Sequence, residues 1–289
     1  MDHIPSLPNS DAAIIQKFID LKNKDIQRFA ENAILREDIF QVLEGFATVI
    51  FYPYDDDIDG MHVMRMVKME EKNFIFINSN KPMEKQIFTA AHELGHLLKL
   101  DEYYSLQRTE RIIDSDFIEK LMNRFAAMLL MPKESFQKKF SEKKEALNFS
   151  MDSVINAETL LNLMRIVASL MDEFFVPSKA IFIRFAETDL MTPLLVNKFL
   201  DDSISQKIDS ILEHCAKESG YCKLFSPSRT KGSPRLTDML IQAENRRIWS
   251  QSKIDAIRKK LDIESPTPII NDDIASLSKV ISESKGDNN

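Results

Sequence analysis

Residues 88–100, FTAAHELGHLLKL, carry the pentapeptide His92-Glu93-Leu94-Gly95-His96, an HExxH, and the reading of the chain turns on it. An α-helix turns about 100° per residue, so positions four apart share a face, one turn along the axis. Two imidazoles so placed can reach one Zn²⁺ at about 2.0–2.1 Å. Glu93, beside the first histidine, is placed to hold a water rather than the metal. Phe88, Ala90, Ala91 and Leu94, then Leu97, Leu98 and Leu100, supply the apolar positions that a buried helix needs. The competing reading makes both histidines polar residues of an ordinary helix face. The chain has only five histidines, and two of them flank a glutamate at this spacing, which weighs against that reading.

A catalytic zinc takes three protein ligands and keeps an open position. The third should come from a second helix packed on the first, and 114–132, DSDFIEKLMNRFAAMLLMP, supplies a candidate. Glu119 and Asn123 are again four apart, beside an apolar stripe of Phe117, Leu121, Phe125, Met128 and Leu129. Glu119 would bind the zinc, and Asn123 would accept a hydrogen bond from the outer N–H of a ligand histidine, fixing its tautomer. Asp116-x-x-Glu119 also reads as a capping box, with Glu119 doing local work only. Spacing alone does not choose between the two.

Outward from these helices, residues 12–44 repeat apolar residues at helical spacing, and Thr48–Tyr52 reads as a strand ended by Pro53. His62–Lys68 and Asn73–Asn78 read as a hairpin, with Glu70, Glu71 and Lys72 in its turn. The rest reads as helices at about 133–147, 157–175, 178–188, 192–200 and 203–218, a loop at 223–235 and one long helix at 236–262. The fold class expected is α+β, a small antiparallel sheet over the HExxH helix followed by a helical C-terminal region.

Net charge is −7, and no apolar run approaches the roughly 20 residues that span a bilayer. Two cysteines exclude a disulfide scaffold, and six glycines argue against phosphate-binding loops; no signal peptide is visible. The expectation is a cytoplasmic protein with no membrane partner. Residues 223–260 hold ten Lys/Arg against three Asp/Glu, which reads either as a solvated face or as a surface for an acidic or nucleic-acid partner. Asp55 to Gly60 resembles half an EF-hand loop, but Met66 stands at position twelve and strands flank it, so an acidic turn is the better reading. His214, Cys215 and Cys222 lack zinc-ligand spacing.

FTAAHELGHLLKL together with IEKLMNRFAAMLLMP resembles the signature of the ImmA/IrrE family of zinc metallopeptidases. FYPYDDDIDG, FIFINSN and MDEFFVPSKAIFIRF are similar to members as well. Leu121 and Met122 depart from the usual pattern at positions that are not ligands. The resemblance implies a zincin-like fold, zinc held by His92, His96 and Glu119, and Glu93 as the catalytic base. It implies an endopeptidase acting on a regulatory protein, such as a helix-turn-helix transcriptional repressor. The alternative is a zinc-stabilised module that binds its partner without cutting it, or that binds nucleic acid through 223–260. Tyr103 and Tyr104, just past the helix, are candidates for oxyanion or substrate contact, against a plainer reading as packing aromatics. The expected layout is a loose end at 1–11, a peptidase domain at 12–200, a basic helical module at 201–264 and a disordered tail at 265–289.

Overall fold

Hydrophobic periodicity near 3.6 dominates this chain, and helices dominate the computed structural model, which describes residues 9–28, 30, 34–55, 57–67, 69–108, 114–150 and 156–261. The chain forms two compact units, Met1–Arg235 and Leu236–Asn289. In the first, α1 (Asn9–Gln27) and α2 (Asp38–Glu44) precede strands β1 (Thr48–Tyr52), β2 (Gly60–Val67) and β3 (Glu70–Asn78). Then come α3 (Met83–Leu97), α4 (Leu100–Gln107), α5 (Ser115–Leu130), α6 (Lys133–Ala146) and α7 (Ala157–Phe174). Helices α8 (Ser178–Glu187), α9 (Pro193–Phe199) and α10 (Asp202–Glu218) complete it. The end expected to be loose is helical from Asn9, and Asp11 is buried beside Arg108 at 3.7 Å; residues 1–8 lie outside the described residues.

The sheet has the order β1-β3-β2. β2 and β3 form the expected antiparallel hairpin, with Val67 opposite Glu70. Glu70, Glu71 and Lys72 therefore belong to β3, exposed on its outer end, and not to the turn. β1 pairs with β3 in parallel, Thr48 opposite Phe74 through Tyr52 opposite Asn78, so the sheet is mixed rather than antiparallel. Once β2 has taken one side of β3, β1 fills the other, and the chain direction there makes that pairing parallel. The acidic turn at 53–59 is held by the buried Asn78. Its Oδ1 accepts from the amides of Tyr54 and Asn80 at 3.0 Å, and its Nδ2 donates to Ile58 O at 2.8 Å. Lys81 lies 3.8 Å from Asp57 and 3.7 Å from Asp59, so these carboxylates have a protein cation for company.

α3 packs under the sheet and against α5, and the core is continuous through Ala91, Leu94, Leu121, Phe125, Ile166 and Leu170. Gly95 permits the α3–α5 approach: a Cβ there would lie 2.7 Å from Met122 Sδ and 3.0 Å from the Phe125 ring. Helix α10 buries Ile208, Leu212 and Cys215, and Tyr221 after it donates to Ser169 of α7 at 3.2 Å. The first unit thus extends to Arg235, whereas the expected layout divided the chain after residue 200.

In the second unit the single long helix expected at 236–262 is two helices, α11 (Pro234–Asn245) and α12 (Gln251–Leu261). Arg247 adopts φ 52°, Ile248 N–H reaches Ala243 O and Arg247 N–H reaches Glu244 O, both at 2.9 Å, which is a Schellman ending. Ser250 O then accepts from Lys253 and Ile254 to start α12. Arg258 pairs with Glu244 at 2.6 Å across the break. The expected tail at 265–289 lies outside the described residues.

Candidate metal centre

Helix α3 presents His92 and His96 on one face because they are four residues apart, and α5 presents Glu119 toward them. His92 Nε2 lies 3.2 Å from His96 Nε2 and 3.2 Å from Glu119 Oε2; His96 Nε2 lies 3.7 Å from Glu119 Oε1. Tetrahedral ligands at zinc distances are separated by about 3.3 Å. The three side chains therefore fit a zinc-sized ion. Among the described residues this is the one group of His, Cys, Asp and Glu side chains that could hold a metal. His92 Nδ1–H donates to Asn123 Oδ1 at 2.9 Å, which leaves the Nε2 lone pair facing the cluster. Burial, with His92 adding, lowers the pKa of His96, so its imidazole is neutral and able to ligate at pH 7.

The capping alternative for Glu119 is settled by the helix start. Asp114 caps α5, its carboxylate accepting from Phe117 N–H at 2.8 Å, so the first turn closes without Glu119. Glu119 is 59% exposed, which leaves one side of the cluster open to solvent.

Glu93 is buried, 7% exposed, next to the first histidine. Burial first, and the Glu119 carboxylate second, push its pKa up to about 7. A cation held by its neighbours would pull that value down again. Gly60, the first residue of β2, covers it: a Cβ there would meet Thr89 Cγ2 at 2.4 Å and lie 3.7 Å from Glu93 Oε1. Sequence reading missed Gly60 because it ends a stretch that reads as an acidic turn.

Tyr104 is fully buried with its ring 5.2 Å from that of Phe117, and a phenol enclosed in the core has no path to a substrate oxygen. Tyr103 stacks obliquely on Phe18 at 5.1 Å. Packing accounts for both rings. His214 pairs with Glu218 at 3.2 Å, Cys215 is buried and Cys222 exposed; they form no joint site.

A second missed feature lies beside the centre. Arg124 and Arg184, both buried, share the buried carboxylate of Glu187, Arg184 Nη1 at 3.0 Å and Arg124 in direct contact. Arg184 Nε also donates to Met131 O at 3.0 Å, tying α8 to the end of α5. Burial lowers both guanidinium pKa values to about 10, which leaves them charged. The repeated tripeptide Arg-Phe-Ala, at 124–126 and 184–186, was the visible signal.

No helix among the described residues is long and apolar enough to cross a membrane. No curated protein matches the chain. Residues 48–149 match the Peptidase_M78 family, the IrrE N-terminal-like domain, and this span contains His92, Glu93, His96, Glu119 and Asn123. That match supports the ImmA/IrrE resemblance over this domain and a metallopeptidase-type function for it.

Proposed function

We propose that the chain is a zinc-dependent endopeptidase that cuts a regulatory protein in the cytoplasm, a helix-turn-helix transcriptional repressor being the substrate the family resemblance implies. The observation that carries the reading is the convergence of His92, His96 and Glu119 at separations of 3.2–3.7 Å beside a buried carboxylate that is not part of the cluster. A structural site has no use for that buried carboxylate, whose desolvation costs stability.

His92, His96 and Glu119 would hold the zinc, which when bound supplies Lewis-acid polarisation of the scissile carbonyl and acidifies water. Glu93 takes the proton of the attacking water and returns it to the leaving amine. Asn123 keeps His92 in the tautomer that presents Nε2. A peptide substrate can enter as an added strand. The outer edge of β1 is already taken, because Phe51 and Gly232 exchange N–H···O bonds at 2.8 and 2.9 Å. β2 is the other edge and has no outer partner among the described residues. Its Gly60 end lies over Glu93, so an extended chain paired with β2 would run into the centre.

The reading requires one zinc per purified chain by elemental analysis, with hydrolysis lost on chelation and restored by zinc. His92→Ala/His96→Ala should bring zinc close to zero. A full equivalent of zinc in that double variant would overturn the assignment.

A further inference from the structure

A cavity of about 330 Å³ opens beside the metal centre, walled by α3, α5 and α8. Asn123, which holds His92, also lines it, so cavity and centre share a wall. Its charge is lopsided. Lys85 of α3, Lys120 and Arg124 of α5, and Lys179 of α8 face it, against Asp59 and Glu187. Both acids are engaged, Asp59 with Lys81 at 3.7 Å and Glu187 with Arg124 and Arg184.

The cations are less committed. Lys120 reaches Asp116 only at 3.9 Å and Lys179 reaches Asp202 only at 3.8 Å, both partners being exposed; such pairs contribute little. Lys85 makes no ion pair among the described residues. Arg124 is 7% exposed and held by Glu187, so the three lysines are the charges left for a ligand. α8 begins at the same cavity with Pro177, Lys179 and Ala180. It has neither a side-chain cap nor an acidic residue in its first turn, and the carboxylate at its start is Asp209, which accepts from Ser178 Oγ at 3.3 Å. Phe88 and Ile183 add an apolar wall of the kind that methylene groups cover.

We propose that this cavity is a carboxylate-binding subsite that takes the side chain of an acidic residue of the substrate, glutamate by the fit of its methylenes to the Phe88–Ile183 wall. The substrate half of the proposal rests on the peptidase reading above; the carboxylate site itself does not. The cations set specificity: an acidic side chain beside the scissile bond finds the three lysines, and a basic one meets repulsion.

The test has two arms, both on the full-length, zinc-loaded chain. In the first, glutarate and its neutral analogue glutaramide are titrated by calorimetry into wild type and into Lys85→Glu/Lys179→Glu. Neither residue is near the metal ligands in the chain, so loss in this variant separates cavity binding from binding at the zinc. Glutarate should bind wild type, glutaramide should not, and the variant should bind glutarate about tenfold or more weakly. Equal binding of the two probes, no glutarate binding, or an unaffected variant would overturn the site.

In the second arm a mixed peptide library is digested and the cuts read by mass spectrometry. Wild type should show Asp or Glu enriched at one fixed position from the cut, and the variant should still cut without that enrichment. Cutting with no acidic preference while glutarate binds would assign the cavity to a free anion and overturn the substrate half. Glutarate binding with no cutting by wild type would strike the peptidase reading and the substrate half together, leaving the carboxylate site standing.

Discussion

The α3–α5 pair and the segment 221–233 both pack against the same sheet and core, yet they are built by opposite means. In α3 and α5 each functional residue is placed by neighbours three or four positions away, and the two helices need only approach closely. In 221–233 short-range bonds such as Leu224 N–H to Tyr221 O shape only the start of the path. Its backbone is held by residues far off in the chain: Met83 N–H donates to Ser226 O at 3.0 Å, Arg229 N–H to Ser79 O at 2.9 Å, and Gly232 pairs with Phe51. Side chains add to this. Ser79 Oγ donates to Thr230 O at 2.6 Å, Ser228 Oγ to Gln86 Oε1 at 3.0 Å, and Phe225 N–H to the Glu84 carboxylate at 3.2 Å. The helix pair bears the proposed metal centre, and the segment pairs with β1 and braces the start of the helix that bears the histidines. The lesson is that one edge of the sheet is covered at Phe51 while β2, the other edge, has no outer partner among the described residues.

Three substitutions probe that contrast. The largest effect is expected at the helix crossing. Gly95→Val would force Met122 and Phe125 from contacts already at van der Waals distance, costing about 3 kcal/mol. It should also move Glu119 away from the histidines, so zinc occupancy and melting temperature fall together. Normal zinc content in a destabilised Gly95→Val would show that the close approach does not set the site.

A smaller effect is expected in the segment. Gly232 sits at φ 93°, where a Cβ is strained, so Gly232→Ala should lower stability by about 1–2 kcal/mol. Zinc per folded chain should stay unchanged, because no ligand moves. Loss of zinc at Gly232→Ala would mean that the two regions are not separable in the way described.

The smallest effect depends on pH. Burial raises the pKa of Glu84 above its ordinary 4.5 in the folded chain. The folded state therefore holds its proton longer than the unfolded state, and stability from this group declines as pH rises from 4.5 through the raised folded value. Glu84→Gln keeps an acceptor for Phe225 N–H and removes the charge. Its melting temperature relative to wild type should thus improve from pH 4.5 toward neutrality. An advantage that shrinks over that range would contradict the assignment.

What sequence alone could and could not reveal follows the same division. That His92, His96, Glu119 and Asn123 would lie together was legible because their relation within each helix is local. That Glu119 takes no part in a capping box was not, since it follows from Asp114 occupying the cap. The break at 246–250 was invisible because its left-handed residue is Arg247, not glycine. Asn148 and Asp189 end α6 and α8 in the same way, so a chain with six glycines hides its helix ends. The basic count at 223–260 suggested one module, but residues 223–233 are tied to β1 and α3 by bonds spanning more than 140 positions, for example Phe225 to Glu84. The parallel β1–β3 pairing and the Arg124–Glu187–Arg184 cluster are likewise long-range and leave only faint local traces.

The central claim is that Glu93 acts on a proton while Glu119 holds the metal, and one side-by-side measurement tests it. Zinc content and cleavage of a peptide cut by wild type are compared in Glu93→Gln and Glu119→Gln. Glu93→Gln should retain zinc and fold while its cleavage rate falls by about 10²–10⁴. Glu119→Gln should lose zinc, because a neutral amide is a poorer ligand. Wild-type cleavage by Glu93→Gln, or full zinc occupancy in Glu119→Gln, would contradict the account.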